Sequence, residues 1–161
     1  EFICKEKVLK AGLRESIDTT QVRLADQEDD GIRPIHLAAY HENPQLIDIL
    51  LNSGADPTLK TKTQLSVLHM AAQGDKPYSL MLFKQMFVNI RADINTRDSE
   101  MSTPLHWACF CNSHKIINFL ISLGADVNAR DVKGETPLHI AVKKLDWKDP
   151  KKSLIIIQRL Y

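Results

Sequence analysis

Four stretches of this chain spell nearly the same word. RPIHLAA from Arg33, SVLHMAA from Ser66, TPLHWAC from Thr103 and TPLHIAV from Thr136 share one register. Their histidines, His36, His69, His106 and His139, stand 33, 37 and 33 residues apart. A second marker keeps step with the first: GAD at Gly54, RAD at Arg91 and GAD at Gly124, again 37 and 33 apart. Two markers on one period identify an array of like units. A unit this short cannot bury its own apolar face, so its stability has to come from neighbours stacked against it.

Each unit has the same local plan. A polar residue precedes Pro or Val at a helix start, where proline's missing N–H costs nothing. The short helix is interrupted by HEN at 41–43, QGD at 73–75 or CNS at 111–113. A second helix follows, with Asn43 as N-cap and Pro44 at its first position in the first unit. The apolar spacing predicts a buried stripe of Leu46, Ile49 and Leu50 there, and of Ile116, Phe119 and Leu120 in the third unit. Gly54 and Gly124 sit where a left-handed C-cap is needed. An extended stretch such as DVNARD then leads to a turn, DVKG.

This pattern resembles the ankyrin repeat. TPLHxA, GADxN and the DxxG turn are its motifs, and the pattern runs from residue 28 to 161. The resemblance implies an all-α solenoid of helix-turn-helix pairs with short hairpin tips. It divides the chain into a degenerate N-terminal capping unit (1–27) and repeats at 28–60, 61–97, 98–130 and 131–161. It also implies that His36, His69, His106 and His139 bond backbone between units, and that Thr103 and Thr136 help cap the first helices. Repeat two departs from the pattern with Gln64 for the tip glycine, Ser66-Val67 for Thr-Pro, Arg91 for the C-cap glycine and a four-residue insertion. Repeat three has Met101 at the tip. Repeat four has a long inter-helix loop, KKLDWKDPKKS, and stops within its second helix, so more protein is expected after Tyr161.

The segment STPLHWACFCNSHK invites a chemical reading, because His106, Cys109, Cys111 and His114 crowd together. The register argues against one. His106 has a counterpart in every unit, and Cys109 stands where Ala39, Ala72 and Val142 stand. On a helix Cys109 and Cys111 point about 200° apart, so they cannot act as neighbouring ligands of one tetrahedral metal. No Gly-rich phosphate loop, GxSxG or HExxH occurs. We therefore expect no catalytic residue, no metal and no cofactor. A net charge of +1 from 21 basic and 20 acidic residues offers no field for nucleic acid. An odd count of three cysteines reads as free thiols of a reducing, cytoplasmic compartment. Apolar runs of four residues exclude membrane insertion by this segment. The EDD run (28–30) and the lysines of the long loop read as solvated, and Met81, Phe83, Met86 and Phe87 as core.

What the scaffold leaves over is a surface. In ankyrin arrays the variable positions are the tips and the ends of the first helices, on the concave face. Here they carry Tyr40, His41, Gln73, Met101, Trp107, Phe110, Cys111 and Lys143. Aromatics anchor interfaces, so Trp107 with Phe110 suggests a platform for an extended peptide or protein ligand. The bland alternative has Trp107 filling the space between repeats and Phe110 packing on the loop of repeat two. LHMAAQGDKPYSL (68–80) and STPLHWACF (102–110) further resemble the ankyrin segments of DHHC-type palmitoyltransferases of protists. That resemblance implies a non-catalytic, substrate-recruiting arm on the cytosolic side of a membrane enzyme. A structural spacer that packs on a following domain or self-associates is the alternative.

Overall fold

The computed structural model describes residues 30–74, 92–144 and 150–161, with side chains in the last segment from Leu154 onward. In chain order the helices are α1 Pro34–Tyr40, α2 Pro44–Asn52, α3 Val67–Ala71, α4 Pro104–Phe110, α5 His114–Ser122, α6 Pro137–Lys143 and α7 Pro150–Leu160. No strand occurs among the described residues. The helices carrying the repeated word form an inner row, α1 on α3, α3 on α4 and α4 on α6. Outer helices pack behind them, α2 on α1, α5 on α4, and α7 on both α5 and α6. The expected capping unit at 1–27, the apolar positions 81–87, Arg91 and the loop centred on Trp147 lie outside the described residues.

The inner helices can lie close because small residues fill their contact positions. Ala38, Ala39, Ala71, Ala72, Ala108 and Cys109 are all buried. The α1–α2 and α4–α5 pairs each turn through one left-handed residue, Glu42 (φ 54°) and Asn112 (φ 56°). Asn43 caps α2 as expected, its side chain accepting from the Leu46 N–H at 3.0 Å. Gly54 and Gly124 take φ 87° and 88° after α2 and α5. The Ala55 and Ala125 N–H groups then reach back to the Leu50 and Leu120 carbonyls at 2.9 and 3.0 Å. This is the six-residue closure that only an αL residue permits cheaply.

Two expectations need correction. In α2 the buried pair is Ile47 and Leu50, with Leu46 half-buried and Ile49 52% exposed. Ile49 lies about 200° around the helix from Ile47, so it cannot share that face. In α5, Ile116, Ile117 and Leu120 are buried while Phe119 is half-buried, a similar rotation of the stripe. The stretch after each GAD is also less extended than expected. The Asp56, Asp93 and Asp126 carboxylates accept the N–H two residues on, at 2.8, 2.9 and 2.9 Å. These Asx turns break the strand.

Units are joined by two ladders. At the tips the Lys62 N–H donates to the Asp30 carbonyl, Ser99 to Thr63 and Val132 to Glu100, each at 2.9 Å. Deeper in, the repeated histidine bridges. Its Nδ1 accepts the N–H of the residue before its own helix: Arg33, Ser66 and Thr103 at 3.1 Å, and Thr136 at 3.3 Å. That is the part a Glu or Gln plays in a capping box. The Ser66, Thr103 and Thr136 hydroxyls lie at 2.8–2.9 Å from the same nitrogen. Nε2 then faces a carbonyl of the next unit, His69 to Ser102 at 3.1 Å and His106 to Glu135 at 3.2 Å. His36 instead faces the Leu59 carbonyl near the end of its own unit, at 3.0 Å. A carbonyl can only accept, so Nε2 carries the proton and the ring is neutral.

Burial is the main cause that holds the imidazoles of His36, His69 and His106 below their ordinary pKa, to about 4 for His69 against 6.5. Protonation would put a second donor at Nδ1, opposite a backbone N–H. The stability these rings contribute is complete above pH 6.5. It is lost as pH falls toward 4, because the unfolded chain then binds protons that the native chain refuses. Acid titration followed by circular dichroism should show stability falling across that window. His69→Gln should flatten the dependence while lowering stability at neutral pH.

Left-handed tips give a second test. Gln64 (φ 61°) and Met101 (φ 59°) occupy the position held by Gly31 (φ 70°) and Gly134 (φ 74°) in the flanking units. A side chain costs about 1 kcal/mol there. Gln64→Gly should raise the free energy of unfolding by roughly that amount in a denaturant titration.

Candidate partner-binding surface

Register places the candidates in two rows. Tyr40, Phe110 and Lys143 end α1, α4 and α6, Gln73 holds the same register position two residues past α3, and Met101 stands on the tip of the third unit. Tyr40 is half-buried against the core and meets the exposed His41 edge-on, with ring centroids 5.2 Å apart. Gln73 is half-buried, and its carbonyl accepts the Ser113 hydroxyl of the next unit at 3.4 Å. Met101 is 44% exposed. Lys143 is exposed and pairs with Glu135 at the base of its own unit's tip. Cys111 is half-buried. Burial pushes the neighbouring Cys109 thiol far above its usual range, which makes it inert. Among the described residues no three His, Cys, Asp or Glu side chains converge as a metal site.

Trp107 and Phe110 are not simply exposed. Both are half-buried and packed on the core, with one side committed to a polar partner. The indole N–H donates to Asp98 Oδ2 at 2.8 Å. Asp98 is only 7% exposed, and its other oxygen accepts the Glu100 and Ser102 N–H groups at 2.9 and 2.8 Å. One carboxylate thus builds the hairpin tip and aims the tryptophan. Its counterpart Asp131 accepts from Lys133 and Glu135 in the same way, and the Thr61 hydroxyl accepts from Leu65 in the second unit. Phe110 carries the Lys144 ammonium of the fourth unit 3.9 Å above its ring centre, a cation–π contact between units.

The sequence reading missed Asp98 and Glu135. Asp98 carries a sequence signal, since Asp or Thr recurs at the same point of each tip: Thr61, Asp98 and Asp131. Lys144 stands beside Lys143 at the end of an inner helix, but its reach over Phe110 depends on how α6 sits on α4.

Tip ladder, inner and outer helix rows and bridging histidines together define one architecture, and comparison with known proteins agrees. The model of the ankyrin repeat family, with three copies, matches residues 35–131 and 68–149. The chain belongs to the ankyrin repeat family. Ankyrin repeats are protein–protein interaction modules, and this array is one by membership. It is similar to an ankyrin repeat protein of Fowlpox virus, 34% identical over 96 residues that cover 57% of this chain and 27% of the relative. It is 41% identical over 118 residues to alpha-latrotoxin-Lg1a of Latrodectus geometricus, covering 73% of this chain and 8% of the toxin. It is 37% identical over 83 residues to NF-kappa-B inhibitor delta of Mus musculus, covering 51% and 24%. The ankyrin array thus spans about a quarter or less of these relatives. No helix among its described residues is long and apolar enough to cross a membrane.

Asp98 can be tested directly. Asp98→Asn keeps an oxygen for the tip but can set an amide NH₂ against the indole N–H. It should cost 1–3 kcal/mol of stability and shift the Trp107 fluorescence. Asp131→Asn, which faces no indole, should cost less.

Proposed function

We propose that this ankyrin array binds an extended peptide segment of a partner protein along its tips and inner-helix ends, gripping it at Trp107 and Phe110. The observation that carries this is the indole at position 107, held half-open by Asp98 where Leu37 is likewise half-buried and Met70 and Ile140 are buried. An indole fixed on one edge offers a rigid apolar face at little cost in side-chain entropy, which is what an interface anchor needs. Lys144, stacked on Phe110, adds a cation at the rim. A peptide joining an apolar residue or proline to a carboxylate matches that pair. Tyr40, His41, Gln73, Met101, Cys111 and Lys143 would form the rest of the surface.

The finer setting we propose is the substrate-recruiting arm of a membrane protein S-acyltransferase, with the peptide belonging to the protein to be acylated. Its support is the wording of residues 68–80 and 102–110. A cytoplasmic location, at the cytosolic face of such a membrane, is supported by Cys109 being a buried free thiol. A spacer array that packs on a following domain or self-associates is the second reading, favoured by the apolar side chains exposed on the outermost unit.

Because Trp107 and Phe110 are packed, truncating both to Ala would lower stability as well as binding. Trp107→Leu, which restores the residue type of Leu37, and Lys144→Glu, at an exposed site, separate the two. Peptides selected on the native chain from a random display library should lose about tenfold or more in affinity to either variant; the thermal midpoint should be little changed in Lys144→Glu and lowered in Trp107→Leu, which leaves Asp98 Oδ2 without its indole donor. Equal affinity for native and variant chains would remove the proposed grip.

A further inference from the structure

Two exposed side chains occupy a backbone conformation that disfavours them. Gln64 (φ 61°) and Met101 (φ 59°) are left-handed at the tips of the second and third units, where a Cβ crowds the following carbonyl oxygen. The first and fourth tips have Gly31 and Gly134 at that point. Packing does not force the difference, since a Cβ on Gly134 would meet nothing within 4 Å. Glu42 and Asn112 are also left-handed, but they are half-buried at the turns between paired helices. Gln64 and Met101 are exposed and not packed on the core, and among the described residues neither side chain makes a hydrogen bond.

Their position adds to the contrast. The Gln64 N–H closes its turn on the Thr61 carbonyl at 2.9 Å, and the Met101 N–H closes the next turn on Asp98 at 3.0 Å. The Ser99 N–H splices the two tips by donating to the Thr63 carbonyl at 2.9 Å. The strained tips are thus the central pair in a row of four. One of them carries the carboxylate that aims the Trp107 indole. Left-handed non-glycine residues persist at ligand clamps, where a contact in the complex offsets the strain.

We propose that Gln64 and Met101 are specificity-determining contacts for the bound peptide, Met101 taking an apolar side chain beside Trp107 and the Gln64 carboxamide pairing with the peptide main chain. The inference rests on the peptide grip and extends it to the tips. A carboxamide has both N–H donors and an acceptor oxygen, the complement of the C=O and N–H of an extended chain. An unbranched thioether adapts its shape to an apolar partner. Glycine at either point would make the tip more stable and supply neither contact, so stability is given up for binding.

Affinity and stability measured together on the whole chain test this, with peptides selected on the native chain from a random display library as the probe. Gln64→Gly and Met101→Gly should each raise the thermal midpoint by roughly 2–4 °C. Each should also weaken peptide binding about fivefold or more. Gln64→Ala and Met101→Ala keep the Cβ crowding and the stiffness of the turn, so they should weaken binding equally with the midpoint unchanged. Higher stability with unchanged affinity overturns the proposal, because the side chains then serve no ligand. So does a loss confined to the glycine variants, which assigns the effect to a looser tip. An unchanged or lower midpoint in the glycine variants also overturns it, since the side chains then carry no strain. Among N-methylated forms of a selected peptide, one should bind the native chain more weakly and Gln64→Ala no differently; the absence of such a form removes the main-chain pairing. Loss at Trp107→Leu and Lys144→Glu without loss at the tips overturns this inference and keeps the grip. The reverse pattern removes the grip and keeps the tips.

Discussion

Everything in this array leans on one imidazole per unit. Its Nδ1 accepts the N–H in front of its own helix, and in the second and third units its Nε2 donates to a carbonyl of the unit that follows. A helix of five to seven residues has too few internal hydrogen bonds to stand alone. The histidine supplies a cap and a cross-link together, and does so while neutral and buried. The small residues beside it, Ala72 and Cys109, let the neighbouring helix approach closely enough for the second bond. Remove the neutral ring and both the helix start and the unit boundary fail, which is why protonation and folding are linked here.

The tips obey a parallel rule with a carboxylate in place of the imidazole. Asp98 and Asp131 tie their hairpins by accepting two backbone N–H groups each. At Asp98 the second oxygen is left over, and Trp107 takes it. A structural residue acquires a functional consequence this way without changing its structural duty. The surface is thus assembled from scaffold parts: Asp98 aims Trp107, and Lys144 of the next unit covers Phe110. Neither aromatic is free to rearrange, which favours a rigid grip over an adaptable one.

Much of this was legible in the residues. The period, the helix pairs, the glycine C-caps at 54 and 124 and the Asn43 cap follow from local chemistry, because each depends on residues a few positions apart. The phase of the buried stripe in α2 was less legible. Leu46, Ile47, Ile49, Leu50 and Leu51 are all apolar, so spacing alone could not choose which pair faces the core; packing against α1 chose Ile47 and Leu50. The aromatic platform was half legible. Trp107 and Phe110 stood out by residue type, yet their half-burial and their polar partners lie on other elements of the fold.

By itself the sequence determined that the chain is a stack of like units, since two markers on one period leave no other economical architecture. It also determined which histidines and glycines hold each unit, because those needs are set by backbone geometry within a few residues. Tertiary structure alone decided how the surplus was used. It set which oxygen of Asp98 meets an indole, which lysine covers Phe110, and that His139 and Val142 are exposed where three sibling pairs are buried. Those outcomes depend on what lies one repeat away in space, and a repeated word carries no record of its neighbours.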